Sequence, residues 1–173
     1  PAEHRTLVAV PTMLASRGGI EHLLDGLEVR YLANRDPCLH FALVTDFVDA
    51  PAETLPEDAE FLRLARDGIE RLNEKYAGIR TDIFYLFHRG RRLNAQEGVW
   101  MGYERKRGKL ADLNALLRGA KGRFVDVVGE TTILQDVRYV ITLDTDTLLP
   151  RDAARLMVGT LAHRLNRPVF DSG

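Results

Sequence analysis

Two rhythms alternate along the chain: short unbroken apolar runs, and apolar residues recurring three and four positions apart. The runs are Thr6 to Val10, closed by Pro11, then Leu39 to Val44, Ile83 to Phe87, and Tyr139 to Leu143. Runs of this length, rich in β-branched and aromatic side chains, suit strands buried in a sheet. The helical spacing falls between them. Ile20, Leu23, Leu24, Leu27 and Tyr31 form one face that closes before Pro37. Phe61, Ala65, Ile69, Leu72 and Tyr76 form a second, opened by Pro56, Glu57 and Asp58, whose acids complement the helix dipole, and stopped by Gly78. Leu110, Leu113, Leu116 and Leu117 make a third face. Leu156, Met157, Thr160, Leu161 and Leu165 make a fourth, ending before Pro168, where a new segment, Pro168 to Asp171, is expected to begin. The order β, α, β, α, β, loop, α, β, α predicts an α/β fold: a mostly parallel open sheet with helices on both faces.

Two stretches fit neither rhythm. After Phe87 come His88, Arg89, Arg91 and Arg92, then a glycine and aromatic loop with Trp100, Met101, Gly102 and Tyr103, then Arg105, Lys106, Arg107 and Lys109. Charge runs of this kind ordinarily lie on solvated surface. Lys109 stands apart, because it follows Gly108 at the first turn of a predicted helix, where free N–H groups favour an anion. Trp100 and Tyr103 are placed either to stack on a sugar or base or to pack as core or lid. The second stretch, Gly119 to Thr132, is a connection expected to hold an extra helix, a hairpin or a mobile loop.

Composition narrows the function classes. At 173 residues, 45% hydrophobic and 28% charged, the chain can bury one core. A net charge of -1 argues against a nucleic-acid partner. The single cysteine, Cys38, excludes an internal disulfide and a cysteine metal cluster, fits a reducing compartment, and reads as a buried or loop thiol rather than a nucleophile. The five histidines show no paired metal spacing, and His88 is the one placed near a strand end. Neither a Gly-x-Gly-x-x-Gly fingerprint nor a Walker lysine loop is present. No apolar run is long enough to span a membrane and no signal peptide is visible. The chain starts at Pro1 and stops as a new segment opens, so it is expected to be a piece of a longer protein.

The candidate chemistry sits at strand ends. Asp144 and Asp146 follow the last apolar run, and two acids two apart on an extended backbone would emerge on one side, at the carboxyl end of a strand, where ligands of open α/β sheets bind. Adjacent carboxylates repel unless a cation neutralises them, and a hard ion such as Mg²⁺ or Mn²⁺, itself holding a phosphate, meets that need. The alternative is turn and cap chemistry, with Asp146 capping the helix after Pro150. Pro11 and Thr12 end the first strand. Asp46 ends the second, either accepting hydrogen bonds from a nucleobase or ribose or forming a turn; Asp49, beside Ala50 and Pro51, reads as turn chemistry.

Taken in order, Pro11-Thr12, Asp46, the helix start Gly-Lys-Leu-Ala-Asp-Leu-Asn at Gly108 to Asn114, and Leu-Asp-Thr-Asp resemble the nucleotide-sugar half of a family 2-like, GT-A fold (Rossmann-like) glycosyltransferase. The resemblance narrows with Phe87-His88-Arg89, with Trp100 to Leu110 (Trp-Met-Gly-Tyr-Glu-Arg-Lys-Arg-Gly-Lys-Leu), with Tyr139 to Pro150, and with Gly159 to His163 and Asn166-Arg167-Pro168. These blocks are similar to the glycosyltransferase segment of the cyclic β-1,2-glucan synthases, glycosyltransferase family 84, over essentially the whole chain. The resemblance implies a GT-A domain over 1–173 truncated at its C-terminal end. It implies UDP-glucose as donor, a growing β-1,2-glucan as acceptor and inversion at the transferred glucose. Asp144 and Asp146 would ligate Mg²⁺ or Mn²⁺, with Asp144 also touching the ribose or donor sugar. Pro11, Thr12 and Asp46 would line the uridine pocket, and Lys109 would face the nucleotide or phosphates. It further implies a general base and acceptor site downstream of this chain, no turnover by the chain alone, and a parent held by other segments at the cytoplasmic face of the bacterial inner membrane. The second strand lacks the Asp-Asp-Gly pattern of the wider family.

Two other readings use the same residues. Asp144-Thr145-Asp146-Thr147 fits the Asp-x-Asp-x-Thr signature of haloacid dehalogenase-type phosphohydrolases, with Asp144 as nucleophile and Asp146 as acid/base. That signature normally opens its domain, whereas three strands precede it here. A non-enzymatic polyanion-binding module would use the basic stretch from Arg89 to Lys109, against the balanced net charge.

Overall fold

The computed structural model describes residues 2–166, so the segment expected from Pro168 lies outside the described residues. The chain runs β1 (Thr6–Leu14), α1 (Arg17–Ala33), β2 (Leu39–Phe47), α2 (Asp58–Lys75) and β3 (Phe84–His88). A hairpin of β4 (Arg92–Asn94) and β5 (Val99–Met101) precedes α3 (Arg105–Leu117), and β6 (Asp126–Val128), β7 (Tyr139–Thr142) and α4 (Ala153–Ala162) follow. Five strands form one sheet in the order β6-β3-β2-β1-β7. β3, β2, β1 and β7 are parallel, and β6 is antiparallel on the edge.

Strand alternation sorts the core into two layers. Val8, Val10, Phe41, Leu43, Phe84 and Leu86 point to one face, where Ile20, Leu24 and Leu27 of α1, Ala65 and Ile69 of α2, and Ala154 of α4 cover them. Leu7, Ala9, Ala42, Val44, Tyr85 and Phe87 point to the other, under Leu113 of α3 and Leu134 of a 3-10 turn. This is the two-faced α/β sheet that the sequence rhythm predicts.

Three departures carry information about the site. β1 continues through Pro11 to Leu14, because β7 pairs only along Thr6–Ala9 and leaves that side of β1 open at the proline. β2 continues through Thr45 and Asp46, so Asp46 is a strand residue and not part of a loop. The last run is not a fully buried strand: Val140 and Thr142 are exposed and only Tyr139 and Ile141 turn inward. Among the described residues nothing pairs on the outer side of β7, and β-branched residues suit a half-buried edge as readily as a central strand. The connection 119–132 resolves into the edge strand β6.

His40 and His88 are fully buried, and each has a ring Nε2 with no hydrogen-bond partner. Burial pushes each imidazole down to about 4, since a proton added there would put a charge in a desolvated site that nearby carboxylates only partly offset. An unfolded chain protonates them near the ordinary value of about 6.5, so between those limits the unfolded state binds more protons and stability rises with pH. Urea unfolding from pH 7 down to pH 4 is therefore expected to show stability falling by up to roughly 1.4 kcal/mol per pH unit for each imidazole. His88→Gln should flatten that slope; an unchanged slope would remove His88 from the account.

Candidate functional site

The parallel strands lead to one cleft. β1 turns its successor toward β2 on one side while β7 arrives on the other, and the carboxyl ends of diverging strands leave a crevice. A cleft of about 490 Å³ lies there. Pro11, Thr12 and Met13 of β1 and Asp46 to Asp49 at the end of β2 form one wall. Gly102 and the first turn of α3, with Arg105, Lys106 and Lys109, form the opposite wall, and Thr145 of the acidic turn closes the rim.

Beneath the cleft lies a buried ion network. Arg89 Nε and Nη2 donate to the two oxygens of Asp46 at 2.8 and 3.0 Å, and Arg89 Nη1 donates to Asp112 at 2.8 Å. The Lys109 ammonium lies 3.2 Å from Asp46 Oδ2 and donates to the Thr12 carbonyl at 2.5 Å. Asp46, Arg89 and Lys109 are all at least 95% buried. Burial works against the Arg89 charge, but the hydrogen bonds to Asp46 and Asp112 outweigh it and raise its pKa. For Lys109 burial wins, and its pKa lies below the ordinary lysine value despite Asp46. Both carboxylate oxygens of Asp46 are thus engaged from within the protein, and Lys109 points inward to β1. Glycine is required above the network: a β-carbon at Gly102 would overlap the Asp46 carboxylate, and one at Gly108 would overlap the Tyr103 carbonyl.

The neighbouring basic residues divide by depth. Arg91 is buried, stacks 4.9 Å over Phe47, pairs with Asp58 and donates to the Val48 and Glu53 carbonyls, so it fixes the loop after β2. Trp100 fastens the same loop by a reciprocal backbone bridge to Ala50, 2.9 Å in each direction. Arg105 and Lys106 are exposed at the cleft mouth, where Arg105 pairs with Asp49 at 2.9 Å and Lys106 pairs with Asp144. The ordinary expectation of a solvated basic run fails for Arg89 and Arg91, because they meet carboxylates brought by β2 and α2. A polyanion-binding face would have to do without Arg89, Arg91 and Lys109.

Asp144 and Asp146 do not continue a strand. β7 ends at Thr142, and Thr147 N–H bonds back to the Asp144 carbonyl at 3.1 Å, closing a turn in which strand alternation no longer orients the two acids. Both are exposed, and Asp146 does not cap the next helix, which starts at Ala153. The turn is held from beneath by α1. Arg30 Nη2 donates to the carbonyls of Asp144, Thr145 and Thr147 at 3.2, 2.8 and 2.8 Å, and Asn34 Nδ2 donates to the Leu149 carbonyl at 3.1 Å. No cluster of three or more His, Cys, Asp or Glu side chains suited to a metal occurs among the described residues. Two exposed hard oxygen ligands fit an ion that takes its remaining ligands from water and a bound diphosphate, which is the usual arrangement for Mg²⁺.

The arrangement therefore brings Pro11, Thr12, Asp46 and Lys109 to one cleft with the acidic turn at its rim. Arg89, Lys106, Arg30 and Asn34 were not singled out by sequence. A buried arginine beside a strand-end acid is visible only once register puts Thr45 beside His88, and Arg30 and Asn34 lie on and just past a helix whose apolar stripe was the only signal.

The fold is that of a mostly parallel α/β domain with a cleft at the topological switch point. No family model matches the chain. It is 46% identical over 171 residues, 99% of its length, to Cyclic beta-(1,2)-glucan synthase NdvB of Rhizobium meliloti (strain 1021), and it spans 6% of that protein's length. The chain thus matches one segment of a cyclic β-(1,2)-glucan synthase, in keeping with its motif blocks. No helix among the described residues is long and apolar enough to cross a membrane.

The depth of the two acidic positions predicts opposite costs. Asp46→Ala leaves two buried cations short of their carboxylate and is expected to cost about 3–5 kcal/mol in urea unfolding. Asp144→Ala, at an exposed turn, should change stability by less than about 0.5 kcal/mol. Similar losses for the two would contradict the buried network.

Proposed function

We propose that the chain is the donor-binding part of a metal-dependent, inverting glucosyltransferase that takes UDP-glucose and extends a β-1,2-glucan. The observation that carries this reading is the cleft at the switch point, with an acidic turn on its rim and a cationic helix start across from it. The similarity to a glucan synthase segment supports the same class of donor and acceptor. In this reading the wall of Pro11, Thr12 and Phe47 takes the uridine, whose apolar ring faces need a surface of that kind. Asp46 and Lys109 act from below: by holding each other and the Thr12 carbonyl, they keep the wall in place and supply the cleft floor with buried charge.

The diphosphate lies toward the mouth, between Lys106 at the start of α3 and the turn of Asp144 and Asp146. A divalent ion held by Asp144 and Asp146 supplies neutralisation of the negative charge that builds on the UDP leaving group. Lys106 now neutralises Asp144, and it is released toward the phosphates when that carboxylate is taken up. Of the acids lining the cleft, Asp46 is buried with both oxygens ion-paired, and Asp49 is turned to Arg105 at the mouth. Deprotonation of the acceptor hydroxyl is accordingly assigned to residues beyond this chain, which alone is expected to bind donor without turnover. The charged donor does not cross a bilayer, so the domain would work on the cytoplasmic side of the bacterial inner membrane, where other parts of the longer protein anchor it.

The phosphohydrolase alternative places its nucleophile on the first, central strand of the domain, whereas Asp144 follows an edge strand. Calorimetric titration with UDP-glucose separates the readings. Wild type is expected to bind more tightly with Mn²⁺ than without, and Asp146→Ala to lose that difference while keeping the metal-free affinity. Binding indifferent to Mn²⁺, or phosphatase activity abolished by Asp144→Asn, would refute the proposal.

A further inference from the structure

We propose that Arg30, assisted by Asn34, is the positioning residue of the acidic turn: one guanidinium on α1 sets the backbone from which Asp144 and Asp146 project. This rests on the donor-site reading for its consequence, but not for its geometry.

The attachments form a continuous row. Carbonyls 144, 145 and 147 accept from Arg30, carbonyl 149 accepts from Asn34, Asp152 N–H donates to the Ala33 carbonyl at 3.2 Å, and Ala154 N–H donates to Asn34 Oδ1 at 3.1 Å. The last of these matters because Asp152, at the N-cap position of α4, makes no side-chain cap. Asn34 replaces it from another helix, while its Nδ2 also holds the Arg30 carbonyl at 3.2 Å. The end of α1 is thus a template for the whole stretch from Asp144 to Ala154.

Arg30 has features that packing alone does not require. It is only 6% exposed, yet among the described residues it has no carboxylate partner, and its Nε is buried without a hydrogen bond. A buried cation satisfied by peptide carbonyls alone draws those carbonyls inward. The peptide planes then turn the N–H groups of Thr145, Asp146 and Leu148 away from α1. The two carboxylates, exposed on the same turn, are left on the outer side. Room for the guanidinium is kept by Gly26, one turn earlier, where a β-carbon would lie 2.9 Å from Arg30 Nη1.

The test compares wild type with Arg30→Met and Arg30→Lys; the three carbonyls share one nitrogen, Nη2, so the lysine keeps the charge and a three-donor head on a shorter side chain. Amide exchange is followed by mass spectrometry, and UDP affinity is titrated with and without Mn²⁺. Both variants are expected to exchange faster at 144–149 while the amides of β1, β2 and β3 stay protected. Each should lose about ten- to hundredfold in the Mn²⁺-dependent part of UDP affinity, with metal-free affinity retained and Lys the milder change. Unchanged exchange at 144–149 would overturn the proposal. So would loosening across the whole sheet in both variants, which marks a general stability role. If Arg30→Met does not fold, Arg30→Lys decides by the same criteria. If wild type shows no Mn²⁺ dependence but the variants loosen only 144–149, Arg30 keeps its role and the donor-site reading falls.

Discussion

The fold depends on unequal pairing along β1. That strand is matched by β2 over nine positions but by β7 over only four. The second half of β1 is therefore open on one side, and the chain leaving β7 departs from the sheet as β1 and β2 run on. A parallel sheet cannot close such a gap with backbone hydrogen bonds, so side chains and a helix start must line it. Pro11 lies where the pairing to β7 has stopped, a position at which a residue without an N–H can sit in the middle of a strand.

Charge fills the gap left by backbone pairing. The floor sets Asp46 and Asp112 against Arg89 and Lys109, two acids and two bases that balance one another, with Arg123 reaching Asp112 from the exposed side. Neutrality accounts for tolerance, not for stability, since desolvation of such groups commonly offsets their attraction. What the network fixes is geometry. Arg89 spends five hydrogen bonds on Asp46, Asp112 and the carbonyls of Tyr103 and Arg105, and thereby joins the ends of β2 and β3 to the start of α3. Glu104 and Arg105 both take left-handed backbone angles at that junction, a strained entry to a helix that the ion network and the Gly102 and Gly108 contacts hold in place.

The layered sheet was legible because alternation and helical spacing are properties of neighbouring residues. Pro11, Thr12 and Asp46 were legible as strand-end residues for the same reason, while their grouping in one crevice came from the family resemblance. Tyr139 to Leu143 shows the limit: its composition fits a central or an edge strand, and only the partner count tells them apart. The depth of Arg89 and Lys109 was hidden in a run that includes exposed Arg92 and Arg107, because depth is set by which acid the fold brings opposite. Arg30 and Asn34 left no trace, since a helix reveals its apolar stripe and not the loop its polar end will meet 110 or more residues later.

The acidic turn and the start of α3 define how the cleft responds to charge. Asp144 is now balanced by Lys106 from across the cleft, while Asp146 has no such partner among the described ion pairs. The Lys106 contact is exposed at both ends, so it is worth little and is easily exchanged. Under the proposed donor-site reading, a divalent cation arriving with a diphosphate would offer Asp144 a stronger partner and Lys106 a new anion in the same step, so the two exchanges would favour one another. Neither component alone has that advantage: the ion without phosphate must displace an ammonium that then has no anion, and the phosphate without the ion must face two carboxylates. On that reading the arrangement would favour joint binding of ion and diphosphate. That coupling needs the turn to stay where α1 holds it, since a carboxylate free to swing toward solvent would keep neither partner.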